Sequence, residues 1–178
     1  MADFIEFPKM ARYSREVIVT EKIDGTNAQI MITEDGEFMV GSRTRWITPE
    51  TDNFGFAKWA YEHKDELMLL GAGRHFGEWW GSGIQRGYGL QKGEKRFSLF
   101  NVSRWENERP ACCCVVPILW RGDFGLLDVQ SIMDSLRATG SLALPGFMNP
   151  EGIVIFHTKA NFGFKKTFEK DGTGKWDV

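Results

Sequence analysis

The stretch Glu21-Lys22-Ile23-Asp24-Gly25-Thr26-Asn27 has the residue types and spacing best suited to covalent chemistry. A lysine at the end of an apolar run, entering a glycine turn, is held rigidly with its amine toward whatever cleft the sheet forms. Most lysines are only solvated charges. A free lysine amine of pKa about 10.4 is neutral about once in a few thousand molecules at pH 7, so a nucleophilic lysine needs cationic neighbours. Lys165-Lys166, after Phe162-Gly163-Phe164, would supply that repulsion and donate hydrogen bonds to a phosphate, and a divalent cation would add to both effects. Glu78 lies among the apolar residues of Phe76-Gly77-Glu78-Trp79-Trp80, where burying a carboxylate without a hydrogen-bond donor is costly. The stretch Gly81-Ser82-Gly83-Ile84-Gln85-Arg86-Gly87-Tyr88-Gly89 invites a phosphate-loop reading but fails on spacing, because position 86 is arginine where GxGxxG needs glycine. It reads instead as a mobile surface loop, with Arg86, Lys92, Lys95 and Arg96 giving it a basic character that suits a polyanion.

The elements that must position these residues follow from periodicity. Val17 to Ile23 reads as a strand, and Ala28–Thr33 with Glu37–Gly41 reads as a hairpin turned at Asp35-Gly36. Thr51 or Asp52 caps an expected helix with Phe56, Trp59, Ala60, Leu67 and Leu70 on its apolar face, ending at Gly71. Strands are expected at Arg74–Trp80, Arg96–Val102 and Ala111–Leu119. A second helix should run from Asp128 to Gly140, and two last strands should span Gly152–His157 and Phe162–Phe168. Strands outnumber helices and several are joined as hairpins, which predicts an α+β domain of antiparallel sheets flanked by helices.

Composition narrows the class. A chain of 178 residues, 42% hydrophobic and 26% charged, supports one globular core without disulfides or structural metal. The three cysteines are consecutive, Cys112 to Cys114, which offers no zinc spacing and fits a buried strand. The longest apolar run, around Val115 to Trp120, is far shorter than the roughly 20 residues of a membrane span, and the N-terminus is acidic where a signal peptide is basic, so a soluble cytoplasmic protein is expected. The net charge of −2 argues against a cationic coat protein but leaves room for a local basic cleft.

Six segments, in order from Lys22 to Lys166, resemble the motifs of the covalent nucleotidyltransferases, the superfamily of ATP-dependent DNA and RNA ligases and mRNA capping enzymes. Lys22-Ile23-Asp24-Gly25 is similar to the Lys-x-Asp-Gly motif, Ser42-Arg43 to the Ser-Arg motif, and Phe76-Gly77-Glu78 to the Phe-Gly-Glu motif. Phe97 to Val102, Glu151-Gly152-Ile153-Val154 and Phe164-Lys165-Lys166 resemble the remaining three. Gly25-Thr26-Asn27 resembles the Gly-Thr-Asn of nick-sealing and phage-type RNA ligases, where DNA ligases commonly carry arginine five residues beyond the nucleophile.

The resemblance implies a nucleotidyltransferase domain in which Lys22 attacks the α-phosphate of ATP and carries AMP. Arg43, Lys165 and Lys166 would complete the catalytic set. Glu21, Asn27, Glu78 and Phe100 would bind the nucleotide, with Glu78 on the ribose and Phe100 stacked on adenine. Glu151 would hold Mg²⁺ or Mn²⁺. Read without the resemblance, Phe100 fits a core strand position and Glu151 a surface acid at a strand start. RNA contacts are expected from Arg45, Arg86, Lys92 and Lys95, and the partners would be RNA ends, in a nicked duplex or a single strand. The terminal motif departs from the usual pattern, because adjacent lysines on one strand point to opposite faces; Lys165 is favoured to face the nucleotide. Most members carry a further domain after that motif, whereas twelve residues follow Lys166 here. The expectation is therefore an ATP-dependent RNA ligase reduced to its nucleotidyltransferase domain over residues 1–178, of viral origin and acting in a host cytoplasm, with a partner protein able to stand in for the missing part. The competing readings are a DNA ligase, a ligase of pre-adenylylated ends, and a nucleotide-responsive RNA-binding module without turnover.

Overall fold

Ten short strands and four α-helices are found among the described residues, 3–169, of the computed structural model, which leaves Met1 and Ala2 of the acidic N-terminal stretch outside. In chain order they begin with β1 (Glu16–Lys22), β2 (Thr26–Ile32), β3 (Phe38–Gly41), β4 (Trp46–Ile47), α1 (Phe56–Glu62), α2 (Lys64–Leu67) and β5 (Gly73–Gly81). There follow β6 (Lys95–Leu99), α3 (Val102–Trp105), β7 (Cys113–Val115), β8 (Ile118–Asp123), α4 (Val129–Thr139), β9 (Gly152–His157) and β10 (Phe162–Thr167). Among the described residues no helix is long and apolar enough to cross a membrane.

The strands form two sheets that face each other. A four-stranded sheet has the order β10-β9-β1-β8, all antiparallel, and a six-stranded sheet has the order β4-β3-β2-β5-β6-β7. The six-stranded sheet is antiparallel except for its last pair, β6 with β7, which is parallel. Alternation of side chains along each strand gives every sheet an outer and an inner face. The outer face of the six-stranded sheet, with Ala28, Ile30, Ile32, Trp79, Phe97 and Leu99, packs against Phe56, Ala57 and Ala60 of α1 and Leu67 of α2. The outer face of the four-stranded sheet, with Val17, Val19, Ile153 and Ile155, packs against Met133 and Leu136 of α4. Ile18, Ile23, Trp80, Tyr88, Val102 and Val116 form a third, smaller core between the sheets. Fully burying one such large apolar side chain stabilises the fold by about 1.5–3 kcal/mol, so these three clusters hold both sheets in place around the space left between them.

Several elements differ from the sequence reading for identifiable reasons. The long helix expected after Thr51 is broken: a 3₁₀ turn at Pro49–Thr51 precedes Phe54 and Gly55, both at positive φ, and His63 separates α1 from α2. Asp52 still caps, accepting from the amides of Ala57 at 2.7 Å and Lys58 at 3.0 Å. The strand expected over Arg96–Val102 stops at Leu99, because Asn101 caps α3 through Arg104 N–H at 3.2 Å. Ala111–Leu119 is two strands in different sheets. Val116-Pro117 is the crossing: Val116 N–H donates to Leu99 O in one sheet, and Pro117 O accepts from Glu21 N–H in the other. Cys113 is buried in β7, while Cys112 and Cys114 are half-buried. The second helix appears as expected, with the Asp128 carboxylate capping it through Ser131 N–H at 3.0 Å.

Candidate active site

Lys22 is the last residue of β1, so the alternation that buries Val17 and Val19 under α4 sends Ile18, Thr20 and Lys22 to the inner face. Antiparallel pairing brings Val154 and Phe156 of β9 and Lys165 of β10 to the same face. From the opposite sheet, Asn27 of β2 and Arg74, Phe76 and Glu78 of β5 point into the space between. Together with Phe100, Asn101 and the start of α3 they line a cavity of about 630 Å³, within the usual size range of small-molecule sites. Lys166 pairs with Ile153, whose side chain is buried under α4, so Lys165 rather than Lys166 is the lysine on the cavity face.

The charged groups at one end of this cavity hold one another. Lys22 Nζ donates to Glu151 Oε2 at 2.5 Å, with both side chains partly exposed. Glu78 is buried, and its Oε1 accepts from Gly25 N–H at 3.1 Å while Oε2 accepts from the Asn27 amide at 3.3 Å. Burial raises the Glu78 carboxyl to about 7, against the opposing pull of the Lys22 ammonium and the Gly25 N–H. Gly25 is required by close approach: a Cβ there would lie 2.5 Å from Trp79 O and 2.8 Å from Trp80 Cβ. Glu21 points the other way, as alternation demands. Its carboxylate is buried and accepts from Ser141 Oγ at 2.6 Å, Leu142 N–H at 2.8 Å and Ala143 N–H at 3.0 Å, which ties the loop after α4 to the strand that carries Lys22.

The Gly-rich segment is the largest departure from the sequence reading. It is not simply a surface loop, for Ile84 and Tyr88 are fully buried. Tyr88 Oη accepts from Asp24 N–H at 2.9 Å, and Arg86 Nε lies 3.0 Å from Asp24 Oδ2 as a charge contact. Arg86, expected on RNA, is thus partly withdrawn from solvent and engaged with the turn that follows Lys22. Lys95, also expected on RNA, donates to Phe54 O at 2.6 Å and fastens β6 to the turn before α1. Lys92 is exposed in the same segment, and Arg43 and Arg45 are exposed on the turn between β3 and β4, outside the cavity lining. Phe100 lies just past the end of β6, anchored by its N–H to Phe76 O at 2.9 Å, with its ring at the cavity. Sequence reasoning missed Thr20, Arg74 and Arg104, which line the cavity, and Tyr88, which holds the turn after Lys22; only the packing of the whole fold brings them in.

Among the described residues no three His, Cys, Asp or Glu side chains gather as a metal cage. Glu151 offers a carboxylate oxygen in contact with Lys22, which suits a hard cation that takes its other oxygens from phosphates and water.

A family model described as RNA ligase matches residues 15–171. The chain belongs to the RNA ligase family. Solved structures with the same fold include mutants of the Naegleria gruberi RNA ligase. One with ATP and Mn is 22% identical, with a TM-score of 0.61, covering 86% of this chain and 49% of that one. A second with ATP and Mn is 20% identical at TM-score 0.66, and one with AMP and Mn is 20% identical at TM-score 0.61, each covering 87% of this chain and 50% of the other. The chain of this family member therefore spans about half the length of the Naegleria ligase chains it matches. A comparison with curated proteins gives no match. The family match and the shared fold agree with the α+β architecture and the superfamily read from the motifs.

Proposed function

We propose that this chain is the nucleotidyltransferase part of an ATP-dependent RNA ligase that works through Lys22. The observation that carries the reading is convergence: Lys22, Asn27, Glu78, Phe100 and Lys165, drawn from both sheets, line one cavity, and Glu151 touches Lys22. In the first step the Lys22 amine attacks the α-phosphorus of ATP. A P–N bond forms, the bond to the β-phosphate oxygen breaks, and pyrophosphate leaves. Glu151 Oε2, at 2.5 Å, is positioned to take the amine proton. Lys165 faces the phosphates and neutralises their developing charge, Phe100 offers an aromatic face to adenine, and Glu78 accepts from a ribose hydroxyl. AMP then passes to an RNA 5′-phosphate, the P–N bond breaking as a pyrophosphate linkage forms. A 3′-hydroxyl displaces AMP from that end to make the phosphodiester.

Glu151 is the residue that would hold Mg²⁺ or Mn²⁺. Such a cation, when bound, supplies charge neutralisation on the triphosphate. The Naegleria structures with ATP, AMP and Mn support this choice of nucleotide and metal class. Arg43 and Arg45, exposed on one turn, are the arginines best placed to meet RNA. Incubation with α-labelled ATP and Mg²⁺ or Mn²⁺ leaves covalent label on the wild-type protein and none on Lys22→Ala. Absence of label in the wild type sinks the reading.

A further inference from the structure

A row of paired residues crosses the inner face of the six-stranded sheet and runs out of the cavity. Trp46 of β4 lies opposite Gly41 of β3, Gly41 opposite Gln29 of β2, and Gln29 opposite Phe76 of β5. Residues paired directly across strands share a face. Phe76 lines the cavity, so Trp46 lies on the same surface about 14 Å away, three strand spacings along.

Glycine at position 41 makes the row flat. A Cβ there would fall 2.8 Å from Gln29 Cγ, so the Gln29 side chain occupies the space over β3. Gln29 is held at both ends of its amide: Nε2 donates to Ser42 O at 3.0 Å, and Oε1 accepts from Arg74 Nη1 at 3.1 Å. The Arg74 guanidinium in turn sits over the Trp46 ring, 5.4 Å from its centroid. The Gln29 amide and the Arg74 guanidinium are ordered by hydrogen bonds, Trp46 packs against that guanidinium, and the rings are left open, with Trp46 45% and Phe76 52% exposed. A stacking surface needs that combination, because it avoids ordering the side chains on binding. Arg43 and Arg45, exposed on the turn just before Trp46, make no ion pair among the described residues.

We propose that this row is a docking platform for an unpaired base of the RNA strand being joined, stacked on Trp46 with its backbone phosphates against Arg43 and Arg45. The inference rests on the RNA ligase reading and adds a recognition site to it. An RNA strand is favoured over a protein because arginines surround the aromatic surface and because the surface is continuous with the cavity. Stacking on an aromatic ring tolerates any base, since each has a π-face.

The test is fluorescence anisotropy with a short labelled single-stranded RNA and the full chain. Trp46→Ala weakens binding about 5- to 150-fold, the range expected for one lost base stack, and Trp46→Phe stays within a few-fold of wild type. Trp46→Leu keeps apolar bulk without a ring face and falls as Ala does, which guards against a variant that merely folds poorly. Arg43→Gln and Arg45→Gln flatten the salt dependence, whereas Trp46→Ala leaves the slope alone. Wild-type affinity in both Trp46→Ala and Trp46→Leu overturns the proposal. So does a blunt, fully paired RNA that binds as tightly as the single strand. Transfer of labelled AMP to Lys22, measured on the same samples, separates the two readings. A missing adduct in the wild type overturns the ligase reading, and an intact adduct with unchanged RNA binding by the Trp46 variants overturns the platform alone.

Discussion

The two sheets face one cleft with different inventories. The four-stranded sheet presents cations, Lys22 from a central strand and Lys165 from an edge strand, with Glu151 at the start of β9. The six-stranded sheet presents a buried carboxylate, an amide, an aromatic ring and a single arginine: Glu78, Asn27, Phe76 and Arg74, with Phe100 just beyond β6. Reactive groups can therefore stand on one sheet while recognition is built on the other, and variants on the two walls should fail in different ways.

Five variants would break or sharpen that contrast. The largest effect is expected for Lys22→Ala, which removes the proposed nucleophile and should take lysyl adduct formation below detection, at least about 10³-fold, in a gel assay with labelled ATP. Next is Lys165→Ala, expected to slow adduct formation about 10²-fold, as for loss of one charged donor to a transition state. Lys166→Ala, on the face of Ile153, should cost far less; equal losses would refute the register that puts Lys165 on the cavity face. On the opposite wall, Glu78→Gln should change pH dependence. The Glu78 carboxyl stands at about 7 in the fold against an ordinary value of 4.5, so the native state holds more protons than the unfolded chain between those values. Its contribution to stability is fully present below about pH 4.5 and is lost as pH rises through 7. Urea denaturation at pH 5 and pH 8 should show the wild type losing on the order of 2 kcal/mol that the variant keeps. The smallest effect is Tyr88→Phe, which strips the Asp24 N–H of its acceptor. It should cost about 1–2 kcal/mol by thermal or chemical denaturation and slow adduct formation only a few-fold.

Much of this was readable beforehand because it depends on local pattern. The hairpin at Asp35-Gly36, the helix capped by Asp128 and the last two strands all announce themselves through alternation, caps and turn residues. Other features were hidden for physical reasons. Helical spacing in residues 56–70 survives a break at His63, because both halves still bury one face, so periodicity alone could not show two helices. The glycines of residues 81–89 suggest a loop and conceal that Ile84 and Tyr88 are core. Of the basic residues expected on RNA, two also have partners within the fold, Arg86 at Asp24 and Lys95 at Phe54 O, because a lysine or arginine carries no sequence mark of its partner.

By itself the sequence determined the nature of the chemistry: a lysine before a glycine turn, a carboxylate among apolar residues, paired lysines near the end, and strands enough to make sheets. Those are properties of residue type and near-neighbour spacing, which the chain carries whether folded or not. Tertiary structure decided which of them meet. Lys22 and Glu151 are 129 positions apart and in contact, and Glu78 reaches Gly25 and Asn27 across paired strands. The choice between Lys165 and Lys166 turns on a one-residue register, and the row from Trp46 to Phe76 exists only when four strands align. Register is set by which faces can be buried together over the whole fold, and no short window of sequence contains that sum.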